Sequence, residues 1–455
     1  MASKKTTKKT GKTPKTKATA LEAAALAASE GPDDTQHAVK DIWSKRSPAN
    51  REVASGPAPS KKLAKLRALR GQINEHAGVQ IIGFAEETAA SFLLRRPSGI
   101  TSLDIATGGG LPAGCPVEIS GPEGAGKTYL AMQYMLMHQL LYGSESAIAY
   151  ACTEPTKGFD FRRAAKMGLK LGLPPAYIEE LEKIRQLEGK PPFTSVELTN
   201  MSEKVGEFMV IQAATGEQVF TALLSCVESN EFGIIIIDSI TSVLPEANAD
   251  RELEDPNKIG ARAMLVTNFI SKYTPMTNKF GTPHRTTLIG IGQARAKQNR
   301  QSYEKEWETP AAYAWKHGVQ LRIQVQNGQK LKKTYRKVEG VYGKEVKWVL
   351  TKGKAGAHEH MQGSFEFYFD DVFPDLNYPY GSDRCDTLLT ACMSAGIVCE
   401  RSGEVYIVDC DGLVLHKNIP SLGQLKGMLD SDFDFELQLR RTLLQKIGVA
   451  CLYRE

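Results

Sequence analysis

The stretch Glu118–Met135, "EISGPEGAGKTYLAMQYM", decides the fold. It reads as an apolar strand, a glycine-rich turn and a helix. Gly121, Gly126, Lys127 and Thr128 satisfy the pattern G-x-x-x-x-G-K-[ST], with "PVEIS" as the strand before it and "YLAMQYMLMHQLL" as the helix after it. The glycines let backbone N–H groups turn inward on phosphates, and the helix N-terminus adds its positive end. Gly121, Pro122, Glu123, Gly124, Ala125, Gly126, Lys127, Thr128 and Tyr129 are therefore expected to line a nucleotide. Lys127 would reach the β and γ phosphates of ATP while the Thr128 hydroxyl ligates Mg2+. A turn needed only for packing leaves Lys127 and Thr128 unexplained.

Three further polar residues close apolar strands. Asp238 ends "GIIIIDS", as a carboxylate that helps hold Mg2+ at the carboxyl edge of a sheet would. The alternative is a strand-ending Asp that caps a helix. Glu154 ends "AIAYACTE" before Pro155, which favours an extended residue, and a carboxylate there can polarise an attacking water. Gln293 ends "TLIGIGQ", and a neutral amide facing the γ-phosphate can report whether that group is present.

Working outward, apolar runs alternate with helical runs from Gly99 to about Asp371: "CPVEIS", "AIAYAC", "FMVIQA", "GIIIID", "TTLIGIG", "VQLRIQV", "KEVKWVL" and "SFEFYF". Continuous apolar strands such as "GIIIID" are buried on both faces, which predicts an α/β fold with a mostly parallel central sheet. The last strands arrive with little helix between them and are expected as an antiparallel extension. After "NYPYGSD" two helical stretches around the strand pair "GEVYIVDCDGLVLHK" suit a small α+β C-terminal domain. Before the core, "KKLAKLRALRGQINEHAG" spaces Leu63, Leu66, Leu69 and Ile73 as in a helix, and "VQIIGF" follows as a strand. The expected divisions are 1–60, a basic arm and linker; 61–98, a helix–strand segment; 99–374, the core; and 375–455, the terminal domain.

The chain has 455 residues, 42% hydrophobic, enough for one large core or two smaller ones. Its net charge of +5 is concentrated in residues 1–17, which carry seven lysines and no acid and leave the remainder at −2. That arm, with the alanine-rich "TALEAAALAASEG" behind it, reads as flexible. It either solubilises the protein or attracts phosphate polyanions. The eight cysteines show no metal spacing, which fits reduced thiols in a cytoplasmic protein. No apolar run approaches the roughly 20 residues needed to cross a bilayer. "HEH", His358 to His360, reads as alternating strand-edge polarity rather than a metal site.

The chain resembles the RecA family of recombinases from about Lys61 to its C-terminus. The resemblance is carried by "GITSLDIATGGGLPAG" before "GPEGAGKT", then "CTE", "IIIDSITSVLPEA", "GARAM", "GQARAK", "TKGKAGA" and the terminal "LLTACMSAGIVCERSGEVYIVDCDG". It implies a RecA-like P-loop ATPase core with an N-terminal helix–strand polymerisation segment. It also implies roles: Glu154 as water-activating base, Asp238 as the acid at the magnesium, Gln293 as γ-phosphate sensor and Glu123 as a second glutamate near the γ-phosphate. Phe161 would stack on adenine. Lys352 and Lys354 would reach across a subunit interface to a neighbour's ATP.

Two DNA-binding loops follow from the same resemblance, at Glu246–Gly260 and Ala294–Ala312. Asn257 and Lys258 in the first, and Arg295, Lys297, Arg300 and Lys305 in the second, would meet phosphates. Tyr303 and Trp307 would stack on bases. The alternative for the second loop is a solvated polar segment, since Glu304, Glu306 and Glu308 dilute its charge. Ala311 and Ala312 replace the family's paired glycines, and either Trp315 or Lys316 takes an interface position. The implied activity is DNA-stimulated ATP hydrolysis by a helical filament on single-stranded DNA, pairing it with homologous duplex. Mediator or single-strand-binding proteins are further partners, and a nucleoid location follows. A hexameric helicase, or a mediator that binds ATP without hydrolysing it, are the alternatives.

Overall fold

The computed structural model describes residues 61–78, 94–154, 159–246, 258–277, 286–296, 307–308, 312–335, 338–354, 356–369, 380–401 and 403–453. The lysine arm, the alanine-rich stretch, the "VQIIGF" strand and the boundary near residue 374 lie outside them. Of the described residues, 61–72 fall in one unit and those from Ile73 in another. The expected first helix is present as α1, Lys61–Ala77.

Eight strands form the central sheet: β1 (Pro116–Gly121), β2 (Ala147–Cys152), β3 (Phe208–Gln212), β4 (Phe232–Asp238), β5 (Thr287–Gln293), β6 (Leu321–Tyr335), β7 (Val338–Gly353) and β8 (Gln362–Tyr368). All eight expected runs are strands. Their order is β8-β7-β6-β1-β5-β4-β2-β3. The six strands from β6 to β3 run parallel, while β6–β7 and β7–β8 are antiparallel, as the shortage of helix between the last runs required.

Burial on both faces shows in β4, whose isoleucines alternate between two cores. Ile234 and Ile236 join a cluster with Ile119, Leu130 and Ile289, whereas Ile235 and Ile237 join Val219, Phe220 and Phe269. The first cluster is packed by α2 (Thr101–Ala106) and α3 (Lys127–Tyr142). The short helix α4 (Phe161–Lys166) begins at Asp160, whose side chain accepts the Arg163 N–H. The opposite face carries α5 (Gly216–Ser229) and α6 (Lys258–Thr277), with Phe220 and Phe269 stacked at 4.2 Å between ring centroids. Helix α7 (Tyr313–Gly318) leads into β6 and buries Trp315 completely.

Three elements differ from the sequence reading. The β6–β7 ribbon is longer than "VQLRIQV" and "KEVKWVL", pairing outward as far as Tyr335 with Val338. Its lysine-rich outer part carries no apolar period to announce it. "HEH" forms a turn rather than a strand edge, with His360 at φ +67. The terminal domain holds three helices, α8 (Arg384–Ser394), α9 (Leu422–Ser431) and α10 (Phe433–Lys446), and three antiparallel strands, β9 (Val398–Arg401), β10 (Glu404–Val408) and β11 (Val414–Ile419). The extra helix arises because Asp432 is extended and its side chain accepts the Phe435 N–H, capping α10 where one continuous helix was expected. The extra strand, "VCER", is too short and polar to show a period.

A buried ionic cluster joins this domain to the core. Arg440 of α10, 1% exposed, donates to Asp104 of α2 at 3.1 Å and to Glu436 at 3.1 Å, while Arg384 donates to Glu436 at 2.7 Å. Burial works against the charge on Arg440, but Glu436 and Asp104 outweigh it and hold the guanidinium above its ordinary range. The Tyr142 hydroxyl of α3 donates to the Tyr453 carbonyl at 2.9 Å. All eight cysteines are free thiols.

Candidate nucleotide site

The parallel strands end in register along one edge. Gly121 pairs with Gln293, Cys152 with Asp238, and Asp238 with Ile291. Four segments separated by up to 172 residues of sequence, the turn after β1, Glu154 after β2, Asp238 and Gln293, are thus brought to one place.

The turn itself requires its glycines. Gly126, the residue before α3, has φ +98, a left-handed conformation that L side chains rarely adopt. A Cβ on Gly121 would lie 2.3 Å from the Val325 carbonyl oxygen of β6, so the turn can lie against that strand only with glycine there. The Lys127 ammonium donates to the Pro122 carbonyl at 2.8 Å, inside the turn. Burial lowers its pKa, against the opposing pull of Asp238, Glu154 and Glu123. Glu123 is exposed at the crown.

Asp238 is the centre of the site. Its Oδ2 accepts the Thr128 hydroxyl at 2.9 Å and the Tyr150 hydroxyl at 2.5 Å. Burial raises its pKa, and the two hydroxyls counter that by donating to the charged form. Beside it, Gln293 donates its side-chain N–H to Glu154 Oε1 at 2.7 Å. The next residue, Ala294, donates its backbone N–H to the Gly121 carbonyl at 3.0 Å, fastening the exit of β5 to the first residue of the turn. Thr128 and Asp238 offer two hard oxygens to one position, a donor set that fits Mg2+.

Some expectations fall elsewhere. Tyr129 faces the core: it is buried, packs edge-on against Phe367 at 4.0 Å, and its hydroxyl accepts the Ser382 N–H at 2.6 Å. It follows Thr128 by about 100° around the helix, which turns it away from Asp238. Phe161 is half-buried and packs with Phe159 and Tyr177 against the core. The exposed residue of that helix is Arg163. Trp315 is buried and donates to Glu118 at 3.1 Å, so it takes no interface position. Lys352 donates to the carbonyls of Lys316 at 2.9 Å and His317 at 3.1 Å, capping the end of α7, and the Lys354 backbone N–H donates to Gln320.

Asn257, Lys297, Arg300, Tyr303 and Lys305 lie outside the described residues. Arg295 and Trp307 are described in backbone only, in the short antiparallel pair Arg295–Ala296 with Trp307–Glu308, and Lys258 likewise opens α6. Tyr150 was missed. Its signal was a tyrosine two residues from Cys152 in an otherwise small or apolar strand, on the face of β2 that carries Ile148.

Comparison with known proteins agrees with this geometry. Residues 195–371 match the family profile of the RecA N-terminal domain, and residues 96–258 match a profile described as KaiC. Protein RecA of Oleidesulfovibrio alaskensis is 26% identical over 356 residues, covering 78% of this chain and 83% of that protein. Protein RecA of Gloeobacter violaceus is 27% identical over 350 residues, covering 73% and 81%. A crystal structure of the RadB recombinase overlaps 60% of this chain and 96% of that one at 18% identity and a TM-score of 0.35, too low a likeness to bear on fold or function. Sheet order, phosphate turn and both profiles describe a RecA-like P-loop ATPase domain. Within that class the chain is similar to the RecA family. Among the described residues no helix is long and apolar enough to cross a membrane.

Proposed function

We propose that this chain is an ATP-dependent DNA recombinase: its subunits polymerise on single-stranded DNA, pair it with homologous duplex, and hydrolyse ATP to release the strands. The observation that carries the reading is the 2.7 Å hydrogen bond from Gln293 to Glu154 beside the phosphate turn. It ties the residue suited to activate water to the residue that leads into the second DNA segment.

In this reading ATP enters the turn and Lys127 exchanges the Pro122 carbonyl for the β and γ phosphates. Thr128 and Asp238 would hold Mg2+, which would neutralise charge between those phosphates. The Tyr150 and Thr128 hydroxyls favour the anionic form of Asp238 against the effect of burial. The Gln293 amide turns from Glu154 to the γ-phosphate, and this frees Glu154 Oε1 to take a proton from the attacking water. The same turn of Gln293 displaces the start of the segment 294–312, assigned to DNA, so that DNA and hydrolysis bias one another. Lys352 and Lys354 are assigned to the ATP of a neighbouring subunit, where a charge supplied in trans would make turnover depend on assembly.

The test is ATP turnover with and without single-stranded DNA, paired with electron micrographs of the DNA complex. DNA-stimulated turnover that Lys127→Ala abolishes, on helical filaments, is the expected result. Closed rings would replace the reading with a helicase, and binding without turnover would replace it with a mediator.

A further inference from the structure

A second lysine reaches the phosphate turn from the antiparallel extension of the sheet. Lys344 lies on β7, opposite Lys330 of β6 and Phe367 of β8. Positions 344, 346 and 348 share a face of that strand. Val346 and Trp348 run into the core, and the Val346 side chain lies 3.5 Å from where a Cβ on Gly126 would sit. One step further out, the same face carries the Lys344 ammonium over the crown of the turn, where it donates to the Gly124 carbonyl and has Asn327 Oδ1 at 3.4 Å.

The surroundings of Lys344 are cationic. Burial lowers its pKa, and Arg163 and Lys127 push it the same way. Its hydrogen-bond partners are neutral oxygens, as is the Pro122 carbonyl that holds Lys127. Two lysines therefore converge on one turn of backbone whose own N–H groups and following helix already favour an anion, and Arg163, which pairs with Asp160 at 3.5 Å, is close enough to act on Lys344. Half-buried ammonium groups that rest on neutral carbonyls gain when a polyanion arrives, because a charge-assisted hydrogen bond is roughly twice as strong as a neutral one.

Resting on the reading of this turn as the nucleotide site, we propose that Lys344 is a nucleotide-contacting residue. It is a second cation supplied in cis, which exchanges the Gly124 carbonyl for the polyphosphate of a nucleoside di- or triphosphate. Arg163 adds a further positive charge near it. The site thus grips the nucleotide through a strand of the antiparallel extension as well as through the turn, and seating the nucleotide pulls β7 and the turn into one unit.

Isothermal titration of the full chain with MgADP and with a non-hydrolysable Mg–ATP analogue, across a salt series, tests this. Lys344→Met is expected to weaken both ligands by a similar factor, on the order of tenfold to a hundredfold, as loss of one charge-assisted hydrogen bond gives. It should also flatten the dependence of affinity on salt. Lys344→Arg should stay near wild type. Should Lys344→Met fail to fold, Lys344→Gln keeps a donor for Gly124 without the charge and carries the same expectation. Affinity of the charge-free variant within about twofold of wild type, or equal weakening by Met and Arg with an unchanged salt dependence, would overturn the assignment and leave Lys344 a prop for the turn. Lys127→Ala serves as the reference: if it binds nucleotide as wild type does, the nucleotide-site reading fails, and this assignment with it.

Discussion

Replacing Arg440 by methionine keeps most of the side-chain volume and removes the charge that joins α10 to α2. The variant leaves two carboxylates, Asp104 and Glu436, both at most 1% exposed, without their shared cation. Removing one partner of a buried ion pair costs about 3–5 kcal/mol. Here both survivors keep donors: Asp104 retains Ser98 N–H and Oγ, each at 2.7 Å, and Gly99 N–H at 3.1 Å, while Glu436 retains Arg384 at 2.7 Å. The loss should therefore sit near the lower end, about 3 kcal/mol, or about a hundredfold in the population of the detached terminal domain. Unfolding of so long a chain is not two-state, so the readout is the rate of proteolysis within residues 380–453 under conditions where cleavage follows the open population. Adding Asp104→Asn should recover part of the loss, about 1–2 kcal/mol, because one uncompensated charge disappears with it. A rise in cleavage under about fivefold, or a double variant worse than the single one, would refute the idea that this cluster holds the domain in place.

Glu154→Gln should bind nucleotide like wild type and lower ATP turnover by about a hundredfold or more, since an amide keeps the shape and loses the base; turnover near wild type would move the base to Glu123. Tyr150→Phe removes one of two hydroxyls that favour the anionic form of Asp238, so the pKa of Asp238, already raised by burial, should rise further. Activity that needs the anion is present above that pKa and lost below it, so the acid limb of the pH–rate profile should move to higher pH, and an unmoved limb would count against the role given to Asp238. Burial pushes Cys115 and Cys152 up to about 11, whereas Cys410 is exposed. Maleimide labelling of the native protein at neutral pH, mapped by mass spectrometry, should find Cys410 modified well before either of them, and early labelling of Cys152 would contradict the packing at the end of β2.

The sequence carried the sheet because its signals are local. "GIIIID" announces burial on both faces whatever lies around it, and the phosphate turn announces its own glycines and lysine. Asp238, Glu154 and Gln293 were readable because each ends a strand, and parallel strands end together. Tyr129 was misplaced because position within a motif was read where helix rotation decides. Lys344 had no local sign, since its partner Gly124 is 220 residues away. The terminal domain was underread where Asp432, one residue between two helical runs, ends one helix and caps the next.

The bond from the Ala294 N–H to the Gly121 carbonyl has a consequence for genetics. It is made of main chain at both ends, so nearly any substitution at Ala294 leaves the donor in place, and a substitution at Gly121 acts through the clash of its Cβ with Val325 and not through this bond. An alanine scan is blind to it, the more so because one of the two residues is already alanine. Only a change that removes the amide hydrogen, such as Ala294→Pro, cuts the link. A screen of side chains would therefore not report on this connection between the nucleotide turn and the segment that follows Gln293.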